Sequence, residues 1–263
     1  MILRRLTENL RAQNWTAITI EFLIVVFGVF IGTQVSNWNQ MRLEKQATNR
    51  MLEQLAPELR SQLEFFDTVA TYYRTTRGYA DEAFAGWKGD PRVSDEKFVI
   101  AAYQASQITG IAINPDSWAL TFGGSQLRDI ENLKIRRNLE LTLTGDYSPV
   151  EIPAVATRYR EQVRHVIPID IQDRIRNECG DRTVKGKEGA VIIELPKTCS
   201  MKIDAPVAHN VAAALRARTD LPGELHWHLA AIAAFMANVE TLSAPMRELE
   251  KELAASSSGQ KAG

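Results

Sequence analysis

Ten consecutive residues, 22–31, carry no polar side chain, and they sit close to the start of a chain whose average hydropathy is otherwise that of a soluble protein. A run of ten is shorter than a bilayer requires, so its shoulders decide whether it spans. Residues 18–31 hold eleven Ile, Leu, Val and Phe residues against one acid, Glu21. At roughly −0.5 kcal/mol per apolar residue against at most about 3 kcal/mol for Glu21, insertion is favoured. Trp15 and Trp38 stand 23 positions apart, about 34 Å along a helix, which matches the separation of the two interfacial aromatic belts. The segment therefore reads as a transmembrane helix over residues 15–36, with Trp15 and Trp38 as interfacial anchors. A cleavable signal peptide is the rival reading, since Arg4, Arg5 and Arg11 precede the apolar run. No small-x-small cleavage pattern follows it.

Within the span, Gly28, Gly32 and Ser36 repeat at four-residue steps, and Ala17 and Glu21 continue the same drifting stripe toward the N-terminus. Small residues let a second helix approach, and an intramembrane carboxyl normally faces a partner. The stripe predicts packing against another copy or a membrane-protein partner. The alternative is that Glu21 snorkels to the headgroups and the glycines are merely tolerated.

Basic residues flank the span almost equally, so charge leaves its orientation open. The two cysteines bear on it. Cys179 and Cys199 bracket a glycine-containing stretch with strand signals at residues 191–195, as a hairpin closed at its base would. A disulfide there implies an oxidising compartment and a cytoplasmic N-terminus; two unrelated buried thiols are the alternative.

The remaining apolar spacing is helical. A charged helix follows the span with Leu52, Leu55, Leu59, Leu63, Phe66, Val69 and Tyr73 on one face, and Pro57 predicts a kink or break at residues 54–56. Further helices are expected from Ser94 as N-cap to about residue 110, from Asn114-Pro115 through Trp118 to Gly123-Gly124, over residues 132–147, 153–166 and 206–217, and along a near-heptad stripe from Leu225 to Leu253 that suits packing antiparallel to the first. The fold class is mainly α: a basic cytoplasmic tail (residues 1–14), the transmembrane helix, a helical-bundle extracytoplasmic domain with a small hairpin excursion (residues 37–254) and a disordered tail (residues 255–263).

Chemistry-bearing motifs are sparse. Thirty-one basic against 32 acidic residues give a net charge of −1, which argues against a nucleic-acid partner. No phosphate-binding glycine motif and no catalytic dyad can be assembled, and no cofactor is implied. Glu224, His226 and His228 form the most metal-like cluster, but in a helix the two histidines diverge by about 200°. Arg136, Arg137, Arg158, Arg160 and Arg164 read as a solvated basic surface.

The apolar run ending GVFIGTQVSNWNQ, with Gln34, Asn37, Trp38 and Asn39, and a middle block from Gly123 to Arg137 resemble a family of uncharacterised bacterial single-pass proteins known by a domain-of-unknown-function label. The resemblance implies a bacterial inner-membrane location with a periplasmic main domain, and no activity. The expected function is a membrane-anchored, non-enzymatic helical protein binding a partner or ligand, an accessory subunit of a membrane complex being one form of it, with the lipid bilayer and a helix partner, a second copy or another membrane protein, around the anchor. The alternative is a metal-dependent enzyme at Glu224, His226 and His228.

Overall fold

The computed structural model describes residues 15–111 and 125–260. They are mainly helical, with one two-stranded hairpin. Contacts divide the chain into two compact units, Met1–Leu52 and Glu53–Gly263. One helix, α1 (Trp15–Trp87), contributes to both.

In the first unit α1 carries the apolar run. Every large apolar side chain in residues 20–31 is between 44% and 65% exposed. The most apolar window of this helix, mean hydropathy 2.1, has 0% of its residues buried.

In the second unit α1 turns its predicted stripe inward: Leu55, Leu59, Leu63, Phe66, Val69 and Tyr73 are all buried. The C-terminal helix α8 (Leu221–Gln260) runs antiparallel beside it, with Asp67 paired to Arg247, the Tyr73 ring on Phe235 and the Phe84 ring on His226. α8 is also long and apolar enough to cross a membrane, yet Leu225, His228, Ile232, Phe235, Val239, Met246 and Leu249 are buried along its length. That is the stripe of a core helix.

Around this pair lie α2 (Asp95–Gln104), the one-turn α3 (Ser125–Arg128), α4 (Leu133–Thr144), α5 (Arg158–Val166), α6 (Ile169–Cys179) and α7 (Ala205–Ala217). Their starts follow local chemistry. The Ser94 hydroxyl accepts from the Lys97 amide, the Asn132 carbonyl oxygen from the Lys134 and Ile135 amides, and Pro206 occupies the first turn of α7. α4 and α5 pack on α8, and α2 on α7. Between α6 and α7 the antiparallel strands β1 (Arg182–Lys185) and β2 (Val191–Glu194) pair Arg182 with Glu194 and Lys185 with Val191.

Three expectations need correction and a fourth is narrowed. At Pro57 there is no break, since α1 continues through it; Pro57 and Glu53, whose carbonyl loses its partner, are both exposed to solvent able to supply the missing bond. α2 ends at Gln104, six residues early, because side chains take over the backbone groups beyond it: Arg160 binds the Ser106 carbonyl, and the Tyr73 hydroxyl binds both the amide and the carbonyl of Thr109. Pro149 and Pro153 hold residues 148–154 in two 3-10 turns and delay α5 to Arg158. At the C-terminus α8 continues through Gln260, over most of the stretch expected to be disordered, with the Ser256 hydroxyl donating to the Glu252 carbonyl. The helix expected around Trp118 lies outside the described residues.

Candidate functional site

On α1, Trp15 and Trp38 are 71% and 61% exposed at the two ends of the apolar run. Gly28, Gly32 and Ser36 are exposed, and a Cβ built on either glycine would meet nothing within 4 Å. Glu21 is half-buried, and its Oε2 has no hydrogen-bond partner among the described residues. Ala17 lies on the same helix. Around Gly28, Gly32 and Ser36 the face therefore stands open among the described residues.

Cys179 and Cys199 are joined by a disulfide. It ties the last residue of α6 to the segment after β2, so the hairpin is closed at its base. At the other end, the Glu64 carboxylate of α1 accepts the Lys187 and Glu188 amides of the hairpin turn. Gly189 takes a positive φ of 88° there, a conformation that glycine adopts without steric cost.

Glu224, His226 and His228 are not brought together. All three lie on the first turns of α8, and helical geometry sends them to different neighbours. Glu224 faces Arg158, His226 stacks on Phe84 with ring centroids 4.5 Å apart, and His228 is fully buried with Nδ1 2.7 Å from the Thr157 hydroxyl. Burial, and then the charge of Arg160, pushes His228 down to about 4. Its Nε2 has no well-formed hydrogen bond. Among the described residues no three metal-ligand side chains cluster.

A different cluster emerges where α2, α5 and α6 meet, centred on arginines that the sequence placed on a solvated surface. Arg160 and Arg164 lie one turn apart on α5 and are half-buried. Arg160 donates to the Ser106 carbonyl at 2.7 Å and to Gln107 Oε1 at 3.4 Å. Arg164 donates to the Tyr103 hydroxyl at 2.9 Å and to Gln107 Oε1 at 3.0 Å, with its guanidinium 4.4 Å from the centre of the Tyr103 ring. Arg176 of α6 reaches the same hydroxyl at 3.2 Å. Gln107 donates to Gln104, whose own amide donates to the Cys179 carbonyl.

Every acceptor that holds Arg160 and Arg164 is neutral. No carboxylate among the described residues lies within ion-pair distance of either, whereas Arg158, Arg174, Arg176 and Arg218 each have one. Arg164 Nε is buried without a hydrogen-bond partner among the described residues. Burial, and then the neighbouring Arg160 charge, pushes the Arg164 guanidinium below its ordinary value. Asp181 stands near enough for its carboxylate to feel both charges, yet burial holds it above the usual carboxyl range, and it accepts the Tyr72 hydroxyl at 3.0 Å instead.

One signal for this cluster was available. Arg158, Arg160 and Arg164 taken together look scattered, but Arg160 and Arg164 alone share a face. What they face, the backbone after α2, has no sequence signature. No known protein family, curated protein or solved structure matches the chain.

Proposed function

We infer that the protein is a single-pass membrane protein that holds its helical domain at the membrane surface to bind a partner or ligand. One observation carries the reading: no residue in the most apolar stretch of α1 is buried by the described residues of its own chain. At about 25 cal/mol per Å², leaving that many Ile, Val and Phe side chains in water is prohibitive, and a bilayer is the cover whose thickness suits residues 15–36. The disulfide supports an oxidising location for the domain and hence a cytoplasmic N-terminus. In a bacterium this corresponds to the inner membrane and the periplasm. The open face at Gly28, Gly32 and Ser36, with the unbonded Glu21 carboxyl oxygen two turns away, supports docking of another helix, from a second copy or a membrane-protein partner. Binding rather than catalysis is favoured because Glu224, His226 and His228, the side chains most apt for chemistry among the described residues, go to different neighbours on α8.

Alkaline extraction of membranes from expressing cells tests insertion: the chain is expected to stay in the pellet, and its release would refute the anchor. Protease added outside right-side-out vesicles is expected to digest the domain, whereas protection would reverse the orientation. Cysteines at Gly28 and Gly32 are expected to crosslink in membranes. Failure at both, against controls at Val25, would refute packing along the stripe.

A further inference from the structure

We propose that Arg160 and Arg164 form the receptor for a small oxyanion, a carboxylate or phosphate group carried by a soluble ligand. The argument starts from what the pair lacks. Two half-buried guanidiniums one helical turn apart repel each other, and removing such charges from water is tolerated when a counter-charge accompanies them. Among the described residues the acceptors bonded to the pair are all neutral, namely the Ser106 carbonyl, Gln107 Oε1 and the Tyr103 hydroxyl, and Asp181, whose carboxylate feels both charges, bonds to neither. The neutral acceptors fix the two planes in position without neutralising them. Gln107 bridges both arginines, and the Tyr103 ring supports Arg164 from one side.

Arg164 Nε adds a second sign, since it is a buried N–H donor with no acceptor among the described residues, and such groups carry a full desolvation penalty. A guanidinium presents its N–H groups as a fork that matches the two oxygens of a carboxylate or phosphate, and the resulting bonds are about twice as strong as neutral ones. Asp181 does not fill the role: its carboxyl accepts from Tyr72 and forms no ion pair with either arginine. Its field nevertheless opposes an incoming anion. Arg176, engaged with Asp173 and the Tyr103 hydroxyl, adds positive potential behind the pair.

The proposal gives a ligand class to the binding reading above without depending on membrane insertion, so the test is made on the full-length chain in detergent micelles. Calorimetric titrations with inorganic phosphate and with succinate are run at constant ionic strength in a chloride background. Saturable binding of at least one is expected, and which of the two binds more tightly distinguishes a phosphate ligand from a carboxylate one. Arg160→Gln and Arg164→Gln, with circular dichroism unchanged, are each expected to weaken it by ~10-fold or more. Arg164→Lys, which keeps the charge and loses the fork, is also expected to weaken it. Asp181→Asn, which removes the opposing charge and keeps an acceptor for Tyr72, is expected to tighten it. No saturable binding of either anion to the wild-type chain would overturn the proposal, even if the arginine variants do not fold. So would binding that all the variants retain equally.

Discussion

At the scale of single residues, burial decides what a titratable group contributes. His228 is driven from its ordinary 6.5 down to about 4, so between those values the unfolded chain binds a proton that the native one refuses. Its contribution to stability is therefore complete above about pH 6.5 and is lost as the pH falls toward 4. Unfolding free energy measured across that window is expected to fall with acid by up to about 3 kcal/mol from this group, with a shallower slope in His228→Gln. Asp181 works in the opposite sense. Its raised folded value means that its contribution is present in acid and is lost as the pH rises through that value. Two glycines of α1 give a second contrast. A Cβ on Gly86 would lie 2.1 Å from Phe98 Cδ2, whereas one on Gly78 would meet nothing within 4 Å. Gly86→Ala is expected to cost about 1–3 kcal/mol or more, and Gly78→Ala to gain about 0.5–1 kcal/mol, both readable by thermal unfolding. Neither sign follows from sequence, because both glycines sit in equally helical surroundings. The same limit hid the arginine pair: spacing reveals which side chains share a face, not what the rest of the chain brings against it.

Among the elements, those that carry their own terminal chemistry were legible. Ser94, Asn132 and Pro206 begin α2, α4 and α7 where the sequence places them, and the hairpin falls between the two cysteines. Ends decided by distant partners were not legible. α2 stops where Tyr73 and Arg160 claim the backbone beyond it; Pro57, by contrast, sits on an exposed face where solvent can serve the freed carbonyl, and α1 continues through it. The hairpin is held at both ends, by the disulfide and by Glu64. Replacing both cysteines by alanine is expected to cost about 2–4 kcal/mol for a linkage spanning 20 residues. Glu64→Ala is expected to leave global stability nearly intact while speeding hydrogen exchange at Lys187 and Glu188, whose amides lose their acceptor.

For the whole molecule, the mainly helical architecture and the exposed apolar run were both readable, because hydrophobic periodicity reports which faces need cover. The contact boundary at Glu53 adds what periodicity does not. The unit after it contains its own buried core, from Leu55 on α1 to Leu249 on α8. A chain beginning at Glu53 is expected to purify as a folded protein without detergent, with helical circular dichroism and a cooperative thermal transition; aggregation or a non-cooperative melt would show that the first unit is needed for folding. The relay of amides from the Cys179 carbonyl through Gln104 and Gln107 to both arginines has a temporal corollary. A newly made chain whose thiols are still reduced has every residue of the arginine pair but not the tether that steadies one end of that relay. Competence to hold an anion would then arrive with oxidation rather than with synthesis, and anion titrations before and after reduction would time that maturation.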